Sequence, residues 1–177
     1  MVGVDHLNNI EQVLIETLRT GTFNTIDGGS ETTTTAWSDG DVTVFGQYPT
    51  TDQVSYPCII TEMVANGIET QFMNQRLTSG SSESIGELYG VGFNIYLMVD
   101  RDSSLTPVSA PYRQRRLLNY LMLNGANILT DCDFSAASPA TEIVERHFSG
   151  FKEIGYNPSL ETWVAVAALV VVFKNTR

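Results

Sequence analysis

Leu88-Tyr89-Gly90-Val91-Gly92-Phe93-Asn94-Ile95-Tyr96-Leu97-Met98-Val99 is the stretch that decides the fold of this chain. Val91, Phe93, Ile95, Leu97 and Val99 fall on one side of an extended backbone. Gly92, Asn94, Tyr96 and Met98 fall on the other. Side chains of a strand change face at every residue, so this alternation predicts a sheet strand with one buried face. The rest of the chain must give that strand neighbours and cover its apolar side.

Two segments predict helices able to do so. Leu7, Ile10, Val13, Leu14 and Leu18 recur at spacings of three and four, with Glu11, Glu16 and Arg19 off that stripe. Asp5 suits the cap of this helix and Gly21 its end. A second helix is expected from Pro111 to Leu123, with Leu117, Leu118 and Leu121 as its apolar face. Pro111 fits the first helical turn, and Asn124-Gly125 offers a stop.

Further strands are expected at Val42–Phe45, at Cys58–Ala65 after Tyr56-Pro57, at Thr141–Phe148 and at Phe151–Tyr156. Pro57 opens its strand where a missing donor does least harm. Asn66-Gly67 is a hairpin signal, because type I′ turns need positive φ at both central residues, and Ile68–Met73 would return from it. Trp163–Phe173 is apolar on both faces, as a strand covered on both sides would be. Thr22–Gly40, with its four-threonine run and Trp37, reads as a long flexible loop or arm, and Leu77–Ser84 as a second polar segment. No segment repeats and no linker separates two cores. At 177 residues, residues 1–177 predict one α+β domain: an antiparallel sheet packed by two helices, with long polar loops or arms.

The composition argues about partners. Net charge is −10, which favours solubility and repels nucleic acid. The longest apolar run is far shorter than the ~20 residues of a membrane-spanning helix, and the N-terminus lacks the layout of a signal peptide. No membrane association is expected. Cys58 and Cys132, the only cysteines, read as free thiols.

Each residue that might carry chemistry has a structural reading. His6, before the first helix, reads as solvated, and His147, in a strand, as structural or exposed. Neither sits in a triad or nucleophile-elbow pattern. Asp100/Asp102 and Asp131/Asp133 read as turn formers, because the further oxygen ligands of a metal loop are missing. Gly90-Val91-Gly92 lies inside a strand, so it marks a bulge or a close backbone approach rather than a phosphate cradle. No catalytic residue, cofactor or metal site is expected. One cluster stands apart: Arg113, Arg115 and Arg116 occupy the start of the second helix, with no acidic residue between Leu105 and Thr130. Positive charge there opposes the helix dipole. The cluster reads as either a solvated face or a contact with an acidic neighbour, such as another copy of this chain.

The layout resembles the tail terminators (tail-completion, head-tail joining proteins) of long-tailed phages and archaeal tailed viruses. The resemblance rests on the helix Ile10-Glu11-Gln12-Val13-Leu14-Ile15-Glu16-Thr17-Leu18 and on Tyr56-Pro57-Cys58-Ile59-Ile60 opening a strand. It also rests on the strand Gly92–Val99 ending at Asp100 before a helix, and on Trp163–Phe173 near the end. The resemblance implies a structural virion protein and not an enzyme. It implies a ring, usually a homohexamer, that caps the tail tube and joins the tail to the head connector or stopper, with DNA passing through the lumen. Such a protein is assembled in the host cytoplasm and resides in the virion neck. The alternatives are another neck or tail component (a stopper, an adaptor or a tube subunit), or a small enzyme with an unrecognised site.

Overall fold

The structure is a computed structural model that describes residues 3–27, 30–36, 42–47, 49–50, 53–64, 69–79, 82–103, 113–134 and 142–176. The elements are α1 (Gly3–Thr20), β1 (Thr22–Asp27), β2 (Ser30–Ala36), β3 (Thr43–Phe45), β4 (Cys58–Met63), β5 (Glu69–Ser79), β6 (Ser82–Asp100), α2 (Arg113–Thr130), β7 (Ile143–Phe148), β8 (Lys152–Asn157) and β9 (Thr162–Thr176). The fold is α+β: a seven-stranded sheet packed by two helices, and a separate two-stranded hairpin. All pairings are antiparallel except β3 with β4.

The sheet is built on β6 and β9, paired without a break from Gly86↔Thr176 to Asp100↔Thr162. Each flank of this ribbon carries two strands in line. β4 and then β5 run along the free edge of β6, and β7 and then β8 run along the free edge of β9. Between β7 and β8, Ser149 keeps the ladder closed. Its amide donates to the Ala168 carbonyl (2.9 Å), and its hydroxyl accepts from the Ala168 amide (2.9 Å) in place of a carbonyl. On the other flank, the Val64 amide donates to the Gly92 carbonyl (2.9 Å) before the chain leaves the edge, and it returns at Glu69↔Gly90. Gly90 and Gly92 therefore lie where the neighbouring strand is interrupted.

The expected β6 face is present. Val91, Ile95, Leu97 and Val99 are 0% exposed and Phe93 is 1%. Directly opposite on β9 stand Val171, Leu169, Ala167 and Ala165. α2 lies over β6 and β9, and α1 packs beside α2 and against β3. The helices bring Ile10, Leu14, Leu18, Leu117, Leu118 and Leu121 into the same core. A smaller cluster forms on the opposite face, where Cys58, Ile60 and Met98 are covered by Val54, Tyr56 and Phe45.

Several expectations are corrected. Thr22–Asp27 and Ser30–Ala36 pair as the hairpin β1–β2 where a loop or arm was expected, because a run of threonines is a strong strand former even without an apolar face. Trp37 lies outside the described residues. β4 does not pair with the strand after Asn66-Gly67: β4 and β5 share one edge of β6, and residues 65–68 lie outside the described residues. Leu77–Ser79 and Ser82–Ser84 instead pair as the ends of β5 and β6, with Ser79 opposite Ser82.

α2 runs through Asn124-Gly125 to Thr130. The Asn124 side-chain amide donates to the Tyr120 carbonyl (2.9 Å), and Ile128 and Leu129 continue the buried stripe. α1 begins at Gly3, so Asp5 lies inside its first turn, and Pro111 lies outside the described residues. β9 is covered on one face along its length. On the other face, Ala168 is exposed and Val170 is 37% exposed.

Two substitutions test this core. Phe93→Ala, which empties the middle of β6, is expected to cost about 3–5 kcal/mol in urea unfolding. Gly21→Ala places a Cβ 2.5 Å from Ile128 Cδ1 at the junction of α1 and β1, so a loss of about 1–3 kcal/mol is expected in the same assay.

Candidate functional site: the two ends of α2

α2 presents one end to β8 and β9 and the other to β7. At its start, Arg115 is held within the chain. Its Nε donates to Glu153 Oε2 on β8 (3.2 Å), and its guanidinium lies 5.7 Å from the centre of the Trp163 ring on β9. The Trp163 indole N–H donates to Gln114 Oε1 (3.3 Å), and the Tyr156 ring packs 5.7 Å away, tilted. The Arg115 side chain is still 65% exposed, so the ion pair itself is weak, and the aromatic contact adds the orientation.

Arg116, one residue on, is exposed and makes no ion pair among the described residues. Arg113 is the first residue of the helix, and no acid stands in that first turn. Of the three arginines singled out by sequence, one is therefore engaged with its own sheet and one projects from it.

The β8 edge beside this cluster is unusually apolar for a surface. Among the described residues, three of the seven exposed large hydrophobics lie on β8 and the turn after it: Ile154 (63%), Tyr156 (48%) and Leu160 (44%). Clustering of this kind marks a contact surface, whereas single exposed apolar residues are ordinary. The turn is fixed by Asn157, whose Oδ1 accepts from the amides of Ser159 (3.0 Å) and Leu160 (3.3 Å).

At the other end of α2, Arg146 on β7 donates to the carbonyls of Thr130 and Cys132. A cation on the last carbonyls of a helix both fills their missing bonds and complements the dipole. Sequence reading missed this residue, since nothing local links position 146 to a helix that ends at 130. A cleft of about 650 Å³ lies beside it, lined by Asp131, Cys132, Asp133, Phe134 and residues 142–146. Glu142 on its rim pairs with Lys174. Among the described residues, no three His, Cys, Asp or Glu side chains come together as a metal site would require.

The other candidates are placed as follows. His6 is buried, 9% exposed, with its ring 6.0 Å from Phe173, which corrects the expectation of a solvated histidine. His147 is exposed on β7. Asp100 closes a turn, accepting from the Ser103 hydroxyl while its amide donates to Ser103 Oγ (3.1 Å). Both cysteines are free and buried. Burial, with Asp100 adding to it, pushes the Cys58 thiol up to about 12. Burial also raises Cys132, against the opposing influence of its bond to Thr17 and of Arg146. Neither thiol is a ready nucleophile at neutral pH.

No helix among the described residues is long and apolar enough to cross a membrane. No family model matches the chain, and no curated protein matches it.

The thiols give a pH test. A raised pKa leaves little thiolate until pH approaches it, so a thiol reagent at pH 8 should label neither cysteine in the folded protein and both after unfolding. Rapid labelling of the native protein would contradict the burial described. Separately, Arg146→Ala is expected to lower stability by about 1 kcal/mol, because the Thr130 carbonyl at the end of α2 and the Cys132 carbonyl just beyond it lose a charged donor. Thermal unfolding reads this loss, and Arg146→Lys should recover part of it.

Proposed function

We propose that this protein is a structural virion component, a tail terminator: a ring of identical subunits that caps the tail tube and joins the tail to the head connector or stopper. The observation that carries this reading is the β1–β2 hairpin. Among the described residues it is a two-stranded sheet with no third strand, and its main contact with another element is with α2. A lone hairpin is marginal in water, whereas a third strand or a packed face makes it stable. An arm of this kind gains its support from a neighbour, and closed rings of identical subunits supply one at every position.

Two further features support the reading. The resemblance in layout, from the first helix to the last long strand, is to proteins that act this way. The exposed apolar residues of β8 and the following turn also suit a subunit interface. The partners of such a ring are other copies of the chain, six in the arrangement the resemblance implies, together with the tail tube protein and the head connector. A net charge of −10 lets DNA pass a lumen of this composition without adhering. The reading needs no cofactor and no catalytic residue. It puts the protein in the virion neck after assembly in the host cytoplasm.

Native mass spectrometry of the purified protein and cryo-microscopy of particles test the proposal. A closed ring, present as one layer per tail, is expected. Many stacked layers per particle would favour a tube subunit instead. A strict monomer, both free and in particles, would sink the ring altogether.

A further inference from the structure

The charge of this chain is segregated along its length, and that segregation points to the partner of the arm. From Thr20 to Gln75 there are seven acidic residues and no Lys or Arg, whereas from Ser103 to Thr130 there are three arginines and no acid. Register sharpens the pattern. Asp27 pairs with Ser30, and Glu31 with Ile26, so both acids of the hairpin stand at its far end, away from Thr22↔Ala36 at its base. At ~3.3 Å per residue the tip lies ~17 Å beyond that base. The base itself is rooted near the C-terminal half of α2, where Gly21 meets Ile128. The arginines are at the opposite end of α2.

We infer that the acid-tipped β1–β2 hairpin of one copy docks on the α2 N-terminus and β8 edge of the next copy, with Glu31 meeting Arg116. This deepens the ring reading and rests on it. The receiving surface offers what such a tip needs. Arg116 is exposed with no ion pair among the described residues, Arg115 is held upright by Glu153 and Trp163, and Ile154 and Tyr156 supply apolar area beside them. The arrangement also accounts for a local cost. Arginine in the first turns of a helix opposes the dipole, and no acid in that turn offsets it. A contact made only in the assembly gives the arginines a role that the isolated subunit lacks. The contact is heterologous, tip to helix end, so it repeats from copy to copy, and the proposed ring is the closed form of that repeat.

Charge reversal separates assembly from folding. Arg116→Glu puts an acid near the start of α2, so the melting temperature of the dissociated subunit should be unchanged or higher. The concentration for half-assembly, read by analytical ultracentrifugation, should rise by at least about tenfold. Adding Glu31→Arg to the same chain should restore most of the assembly.

Crosslinking then fixes which copies touch. Equal amounts of a Glu31→Cys chain and an Arg116→Cys chain, oxidised together, should give a disulfide-linked dimer. Neither chain alone should, because Cys58 and Cys132 are buried. The double variant should give a ladder ending at the ring number. A crosslinked monomer from the double variant would mean that the hairpin folds back on its own helix, which overturns the inference. A ring that forms normally with Arg116→Glu and yields no crosslink overturns the contact and leaves the ring standing. A wild-type monomer at all concentrations overturns both.

Discussion

The rest of this structure depends on the register between β6 and β9. Their pairing runs unbroken from Gly86↔Thr176 to Asp100↔Thr162, and every other strand of the sheet except β3 is hydrogen-bonded directly to one of these two. A slip of one residue would turn Phe93, Ile95 and Leu97 away from the helices and bring Asn94 and Tyr96 beneath them. The matching face of β9 alternates as well, with Ala165, Ala167, Leu169 and Val171 all buried. Two long strands with agreeing patterns leave only one register that keeps α2 on an apolar surface. The flanking strands can then be short and interrupted, because they add edges to a ribbon already aligned.

This division of labour explains what was legible in the sequence. The alternation of β6 and the heptad-like stripe of α1 predicted elements that the structure contains, because in both the apolar period and the burial have the same cause. The misreadings share another cause: short-range turn signals were overridden by longer-range packing. Asn124-Gly125 looks like a helix stop, yet Ile128 and Leu129 lie on the same buried stripe as Leu117 and Leu121, and burying them offsets the weak propensity of the pair. Asn66-Gly67 looks like a hairpin turn, yet β4 and β5 are both paired to β6, an arrangement that only the position of the central ribbon decides. The chain from Thr22 to Ala36 has no apolar alternation at all. Its strand character lay in its threonines, whose β-branched side chains favour extended backbone without requiring a core.

The candidate site was half legible for a similar reason. A run of arginines with no neighbouring acid is visible in any reading of the chain. Their separate fates are not, because Glu153 and Trp163, which hold Arg115, are brought to it by the sheet. Arg146 closes the other end of α2 from a strand that follows the helix by more than ten residues. Such a cap leaves no local mark, unlike a Ser, Thr or Asp at an N-terminus. His6 was misjudged because the first helix begins earlier than its apolar stripe suggests, which carries that ring under β9 to meet Phe173.

In the proposed ring, the same physics separates the part that folds alone from the part that docks. The two-helix sheet has a continuous apolar core. The hairpin has strong strand formers and lacks an alternating apolar face, so a single copy gains little from burying it. An apolar arm would be better held, but it would also be an exposed edge open to pairing with any copy it met. Polar threonines with acids at the tip reduce that hazard: arms repel one another, and a net charge of −10 keeps whole subunits apart. Discrimination of this kind comes from repulsion as well as attraction. An arm carrying only acids is attracted mainly where acids are missing and arginines are exposed, and along this chain the stretch from Ser103 to Thr130 is that place. In the proposed assembly, the unfavourable arginines at the start of α2 and the weakly supported hairpin are two halves of one feature, each offset by a neighbouring copy.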